Sequence, residues 1–121
     1  MAIHVKDMRF PLLLDAYGAL LTERKRELLD YYYNEDYSLS EIAQITGLSR
    51  QGARDGIRKA EEELRMFEAT LSFVRFSEAV GEVADALNAL AEKAGSGEIG
   101  DGIRDAAQRL AGLLQSDPGK E

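Results

Sequence analysis

The chain has 121 residues, with 15 Lys and Arg against 22 Asp and Glu for a formal net charge of −7, and no cysteine. That length supports one domain with a modest core, or one domain with an appendage, and the missing cysteines exclude disulfides, cysteine-ligated zinc and thiol catalysis. An acidic chain is a poor general binder of polyanions, because that affinity comes from basic surface and counterion release.

With two prolines and little strand-like alternation, the expected fold class is all-α. A helix-turn-helix domain occupies 1–71, a C-terminal helical hairpin or long helix 72–116, and a disordered tail 117–121. The first helix runs from Phe10 to Leu21 with Pro11 tolerated in its opening turn, and Leu13, Leu14, Tyr17, Leu20 and Leu21 form its core face. Whether it starts before Pro11, with Asp7 as cap, the sequence leaves open. Thr22 caps a second helix from Glu23 to about Tyr33, with Glu23 at its positive end and Leu28, Leu29 and Tyr32 turned inward. Asn34, Glu35 and Asp36 make a polar turn, and Ser38 or Ser40 then caps a short third helix.

The next segment, SLSEIAQITGLSRQGARDGIRK from Ser38 to Lys59, reads as a helix-turn-helix. Leu39, Ile42 and Ala43 supply a short apolar face, Gly47 a sharp turn at positive φ, and Ser49 the cap of a second helix. Ala53, Ile57, Ala60 and Leu64 recur at helical spacing and are buried together, whereas Arg50, Arg54 and Arg58 project from another face. An exposed arginine row on the second helix is suited to neutralising phosphates and reaching base edges. The charge is distributed to match. Ser49–Lys59 carries Arg50, Arg54, Arg58 and Lys59 against Asp55 alone, while most of the acidic excess lies beyond Phe67.

Ala60, Leu64, Phe67, Leu71 and Val74 continue the rhythm as a coiled-coil-like seam. A second register, offset by two residues, runs through Phe76, Val80, Val83, Leu87, Leu90 and Ala94, which predicts a break between Ser72 and Ser77. Gly95, Ser96 and Gly97 form a turn, after which Ile103, Ala107, Leu110 and Leu114 mark a final helix folding back on its predecessor. Phe67, Leu71, Val74, Phe76, Val83, Leu87 and Leu90 are more apolar surface than one short hairpin covers, which predicts a homodimer through the C-terminal helices.

The stretch from Arg9 to about Leu71 resembles the YlxM family of small bacterial helix-turn-helix proteins. Asp15 and Tyr17 ahead of LLTERKRELLDYYYNEDYSLSEIA, followed by LSRQGARDGIRKAEEEL, carry the match. The segment is also similar to region 4 of sigma factors, which implies a DNA-reading geometry. The YlxM resemblance implies a gene neighbourhood with the signal recognition particle GTPase and its receptor, and a regulatory or accessory role there. Lys25 stands where glutamine is expected, Gly52 and Gly56 replace larger residues, and beyond Leu71 the Ala- and Gly-rich sequence departs from the family.

Two functions from different classes follow. In one, the protein is a nucleic-acid-binding regulator, with DNA or structured RNA against Arg50, Gln51, Arg54, Arg58 and Lys59. In the other, it is a non-catalytic interaction module, and the basic row meets the signal recognition particle GTPase or another acidic partner. Neither catalytic residue, metal nor cofactor is expected. His4 is a lone histidine near a terminus, Glu61, Glu62 and Glu63 fan around a helix as a solvated face, and GSGEIGDG lacks a P-loop lysine. Tyr31, Tyr32 and Tyr33 read as core packing plus one exposed ring, not as base-stacking platforms. No apolar run reaches membrane-span length and MAIHVKDMRF lacks the apolar core of a signal peptide, so a cytoplasmic chain without membrane insertion is expected.

Overall fold

The computed structural model of the protein describes residues 6–114; His4 and the tail of 117–121 lie outside them. The described residues are helical without strands, and they divide into two packed units between Val74 and Arg75. No helix among them is long and apolar enough to cross a membrane.

The first unit holds α1 (Arg9–Tyr17), α2 (Glu23–Leu29), α3 (Leu39–Thr46) and α4 (Arg50–Leu71). Asp7 serves the start of α1, its carboxylate accepting the Arg9 N–H at 3.0 Å, so the helix does begin before Pro11. Phe10, Leu13, Leu14 and Tyr17 are buried, but Leu20 is 58% exposed, contrary to its expected place in the core. The chain tightens into a 3-10 turn at Gly18–Leu20; three residues per turn shift the side-chain phase, so Leu20 faces out and Leu21 in. Thr22 caps α2 by accepting the Lys25 N–H at 3.3 Å. After Leu29 the helix widens over Asp30–Asn34, where the Glu35 N–H donates to the Asp30 carbonyl at 2.9 Å. Ser38, not Ser40, caps α3. Its hydroxyl accepts the Glu41 N–H at 3.1 Å while the Glu41 carboxylate accepts the Ser38 N–H at 3.0 Å. These helices close on α4 around Phe10, Leu28, Leu29, Ile42 and Leu64, each almost fully buried.

The expected break falls at Ser72, a left-handed residue with φ 53°. Tyr17 and Glu68 then cap the helix that follows, α5 (Phe73–Ala94). The Tyr17 hydroxyl donates to Glu68 Oε1 and accepts the Phe73 N–H at 2.8 Å; the same carboxylate oxygen accepts the Val74 N–H at 3.1 Å. This junction revises the apolar seam. Val74 is buried in the first unit's core, Phe67 packs partly against it, and Leu71 is 56% exposed.

In the second unit the turn at Gly95–Gly97 leads into α6 (Glu98–Leu114). Arg104 of α6 donates back to the Ala91 and Gly95 carbonyls at 3.4 and 3.5 Å. The inward stripe of α5 is Val80, Ala84, Leu87 and Ala91, with the two alanines most buried. Phe76, Val83 and Leu90, expected in the seam, are exposed instead. Small side chains allow close helix approach, so the alanines take the contact face and the larger residues do not.

Candidate nucleic-acid interface

The helix-turn-helix is built from local signals that agree. Gly47 ends α3 at φ 77°, where a Cβ would be strained, and its N–H donates to the Ala43 carbonyl at 2.9 Å. Ser49 opens α4 by accepting the Gly52 N–H at 2.9 Å. Ile42 anchors α3, and Ala53, Ile57, Ala60 and Leu64 bury one face of α4. That fixes the rotation of α4 and leaves Arg50, Gln51, Arg54, Arg58 and Lys59 exposed. Gly56 has a packing role. A Cβ there would lie 2.6 Å from Leu28 Cδ1, so the missing side chain is a notch that receives α2.

Beside α4 runs a groove of roughly 540 Å³. Arg50, Gln51, Arg54, Asp55, Ile57, Arg58 and Glu61 line it along the helix, and Tyr32 and Leu39 from other elements. Lys59 is not among the lining residues; five residues on, it lies about 140° around the helix from Arg54, the middle of the row. Four of the five expected site residues therefore share one concavity.

The charges are unevenly engaged. Asp55 accepts from the Gln51 side-chain amide at 3.0 Å and lies 3.7 Å from Arg58, an exposed pair of little energetic value. Arg50 and Arg54 form no ion pair among the described residues. Tyr32 is buried against the groove, and burial raises its phenol pKa; the nearby Glu61 charge raises it further, and Arg54 opposes both. Its hydroxyl thus lies within electrostatic reach of the acid and the base.

The expected solvated face of three glutamates is not formed. Glu61 is only 8% exposed and accepts the Tyr33 hydroxyl, while Glu63 pairs with Lys25, the lysine found where glutamine was expected. Glu62 alone is exposed. The signal was present in the spacing, since Glu61 follows Ile57 by four and precedes Leu64 by three, on the buried stripe. None of Tyr31, Tyr32 and Tyr33 is an exposed ring. Tyr31 stacks on Tyr37 with centroids 5.8 Å apart, and Tyr33 meets Phe10 at 5.6 Å and Tyr32 edge-on at 5.1 Å. Tyr32 and Leu39 are groove walls that the sequence reading assigned only to packing.

The profile of the YlxM / p13-like helix-turn-helix family (UPF0122) matches residues 4–98. The chain is similar to the UPF0122 protein of Desulforamulus reducens, at 36% identity over 105 residues covering 86% of this chain and 89% of that protein. Similarity to the UPF0122 protein of Symbiobacterium thermophilum is 51% over 71 residues, covering 58% of this chain and 66% of the relative. For the UPF0122 protein of Caldanaerobacter subterraneus it is 48% over 64 residues, covering 53% and 55%. In this last alignment the chain spans little more than half the relative's length.

Proposed function

The chain belongs to the YlxM / p13-like helix-turn-helix family, and on that footing we propose that it is a nucleic-acid-binding regulatory protein that works through the groove beside α4. The supporting observation is the alignment of Arg50, Gln51, Arg54 and Arg58 along one groove wall, with Arg50 and Arg54 outside any ion pair among the described residues. Guanidinium forks match phosphate oxygens in geometry and remain charged at any physiological pH. A basic strip on a chain of net charge −7 suits one short contact with DNA or structured RNA and not long tracking along a duplex. Lys59 strengthens the local field from the next face of α4.

The proposal extends to a place in or beside the signal recognition particle pathway, with its components as partners and the cytoplasm as location. The role is non-catalytic and needs neither metal nor cofactor. Pairing of two copies through the C-terminal helices is part of the proposal. Its support is the exposure of Phe76, Val83 and Leu90 at seven-residue intervals on α5.

One observation favours the second reading, an acidic protein surface in place of phosphates: Asp55 engages both Gln51 and Arg58 within the basic row. Arg54→Glu separates the two. Loss of nucleic-acid binding with a retained melting temperature supports the first reading. Intact nucleic-acid binding with lost capture of the signal recognition particle GTPase supports the second. If neither activity responds, the groove is not the site.

A further inference from the structure

The groove contains a group that a phosphate-binding surface does not need. Glu61 is a carboxylate more than nine-tenths buried, and it lines the groove together with three arginines. A buried carboxylate repels phosphate and is costly unless a donor reaches it. Tyr33 supplies one such donor, to Oε2, and a carboxylate accepts several.

We propose that the groove is a pocket for a single guanosine phosphate unit, with Glu61 receiving the guanine edge and Arg54 and Arg58 holding the phosphate; the inference rests on the nucleic-acid reading above. Guanine is the base whose Watson–Crick edge places two donors, N1–H and the N2 amino group, side by side, matching a carboxylate's two oxygens. In a paired helix that edge is occupied, so the guanosine is unpaired or free. Leu39 and Ile57 supply apolar surface for the ring between the two polar ends. Arg58 and Arg54 precede Glu61 by three and seven residues, or about 4.5 and 10.5 Å of helical rise. Both arginines therefore lie N-terminal to Glu61 on the same groove-lining stretch of α4. The groove volume, roughly 540 Å³, falls in the usual range of small-ligand sites, about 300–1,000 Å³.

Fluorescence anisotropy on the full chain tests this with hairpins carrying one bulged G, A, C or U, a fully paired hairpin, and GMP or AMP as competitor. The bulged G binds about tenfold tighter than bulged A, the discrimination expected of a two-point base contact. Glu61→Gln, which replaces one acceptor with a donor, brings G and A to the same affinity. Arg54→Gln weakens all bulges together and keeps the order. Competition by GMP but not AMP assigns the pocket to free nucleotides as well as strands, whereas a bulge preference without competition assigns it to strands. Equal affinity for all four bulges in the unmodified chain overturns the proposal, whatever the variants' stability. If that equal binding still falls steeply with salt, the nucleic-acid reading survives without the pocket; if no probe binds, both fail.

Discussion

Gly56 and Glu61 show at the residue scale how one packing contact redirects a local preference. Glycine inside a helix costs about 1 kcal/mol relative to alanine, so Gly56→Ala would ordinarily stabilise. Here the new methyl would meet Leu28 Cδ1 at 2.6 Å, and Leu28 is 2% exposed with little room to move. Overpacking costs roughly 1–3 kcal/mol, and Gly56→Ala is expected to lower stability in urea unfolding. Gly102→Ala, with open space around it, is expected to raise stability by up to about 1 kcal/mol. The tyrosines give a pH signature. Burial first, then contact with Glu68 or Glu61, raises the phenol pKa of Tyr17 and Tyr33 above the ordinary value of 10.0. The unfolded chain therefore loses these protons before the folded one, and stability is expected to fall as pH rises past about 10. Urea midpoints measured from neutral to alkaline pH check the direction, and Tyr33→Phe should flatten the alkaline fall. The arginine row was legible because period alone separates it from Ala53, Ile57 and Leu64. Glu61 runs against its residue type: its position on the buried stripe outweighs the solvated face that its charge suggests.

The starts of α2, α3 and α4 are the most legible feature at the scale of elements, because each depends on short-range bonds. Thr22, Ser38 and Ser49 all cap as side-chain acceptors for an N–H three residues on. The 3-10 turn at Gly18–Leu20 and the widened turn at Asp30–Asn34 were not legible. Both change helical phase without a marker residue, and tertiary packing selects them. The α4–α5 break was predicted from a change of register, but its cap comes from Tyr17, more than fifty residues earlier, and no local pattern reports that. Two substitutions test this junction. Ser72 adopts φ 53°, a left-handed conformation costing a side-chain-bearing residue about 1–2 kcal/mol. Ser72→Gly is expected to recover about 1 kcal/mol of it in thermal unfolding. Tyr17→Phe removes a donor from Glu68 and an acceptor from the Phe73 N–H. A loss of about 1–3 kcal/mol is expected, with faster amide exchange at Phe73.

For the molecule as a whole, the sequence pattern does not report which side of α5 is covered. Hydrophobic size points to the large residues as the seam, whereas Ala84 and Ala91 are the most buried of the inward stripe and Phe76, Val83 and Leu90 are exposed. If those residues join two copies, Val83→Glu with Leu90→Glu gives a monomer in sedimentation at micromolar concentration with helix content unchanged. An unmodified chain that is already monomeric under the same conditions contradicts pairing. The net charge of −7 makes any nucleic-acid contact local, and locality has a thermodynamic signature. Each phosphate neutralised contributes about −0.9 to the slope of log K against log salt on duplex DNA and about −0.7 on single strands. Two to three phosphates met by the groove arginines therefore predict a slope of about −1 to −3 between about 50 and 200 mM salt, and Arg54→Glu should flatten it by about one contact's share. A salt-independent affinity, or a slope that Arg54→Glu leaves unchanged, would contradict binding through this groove.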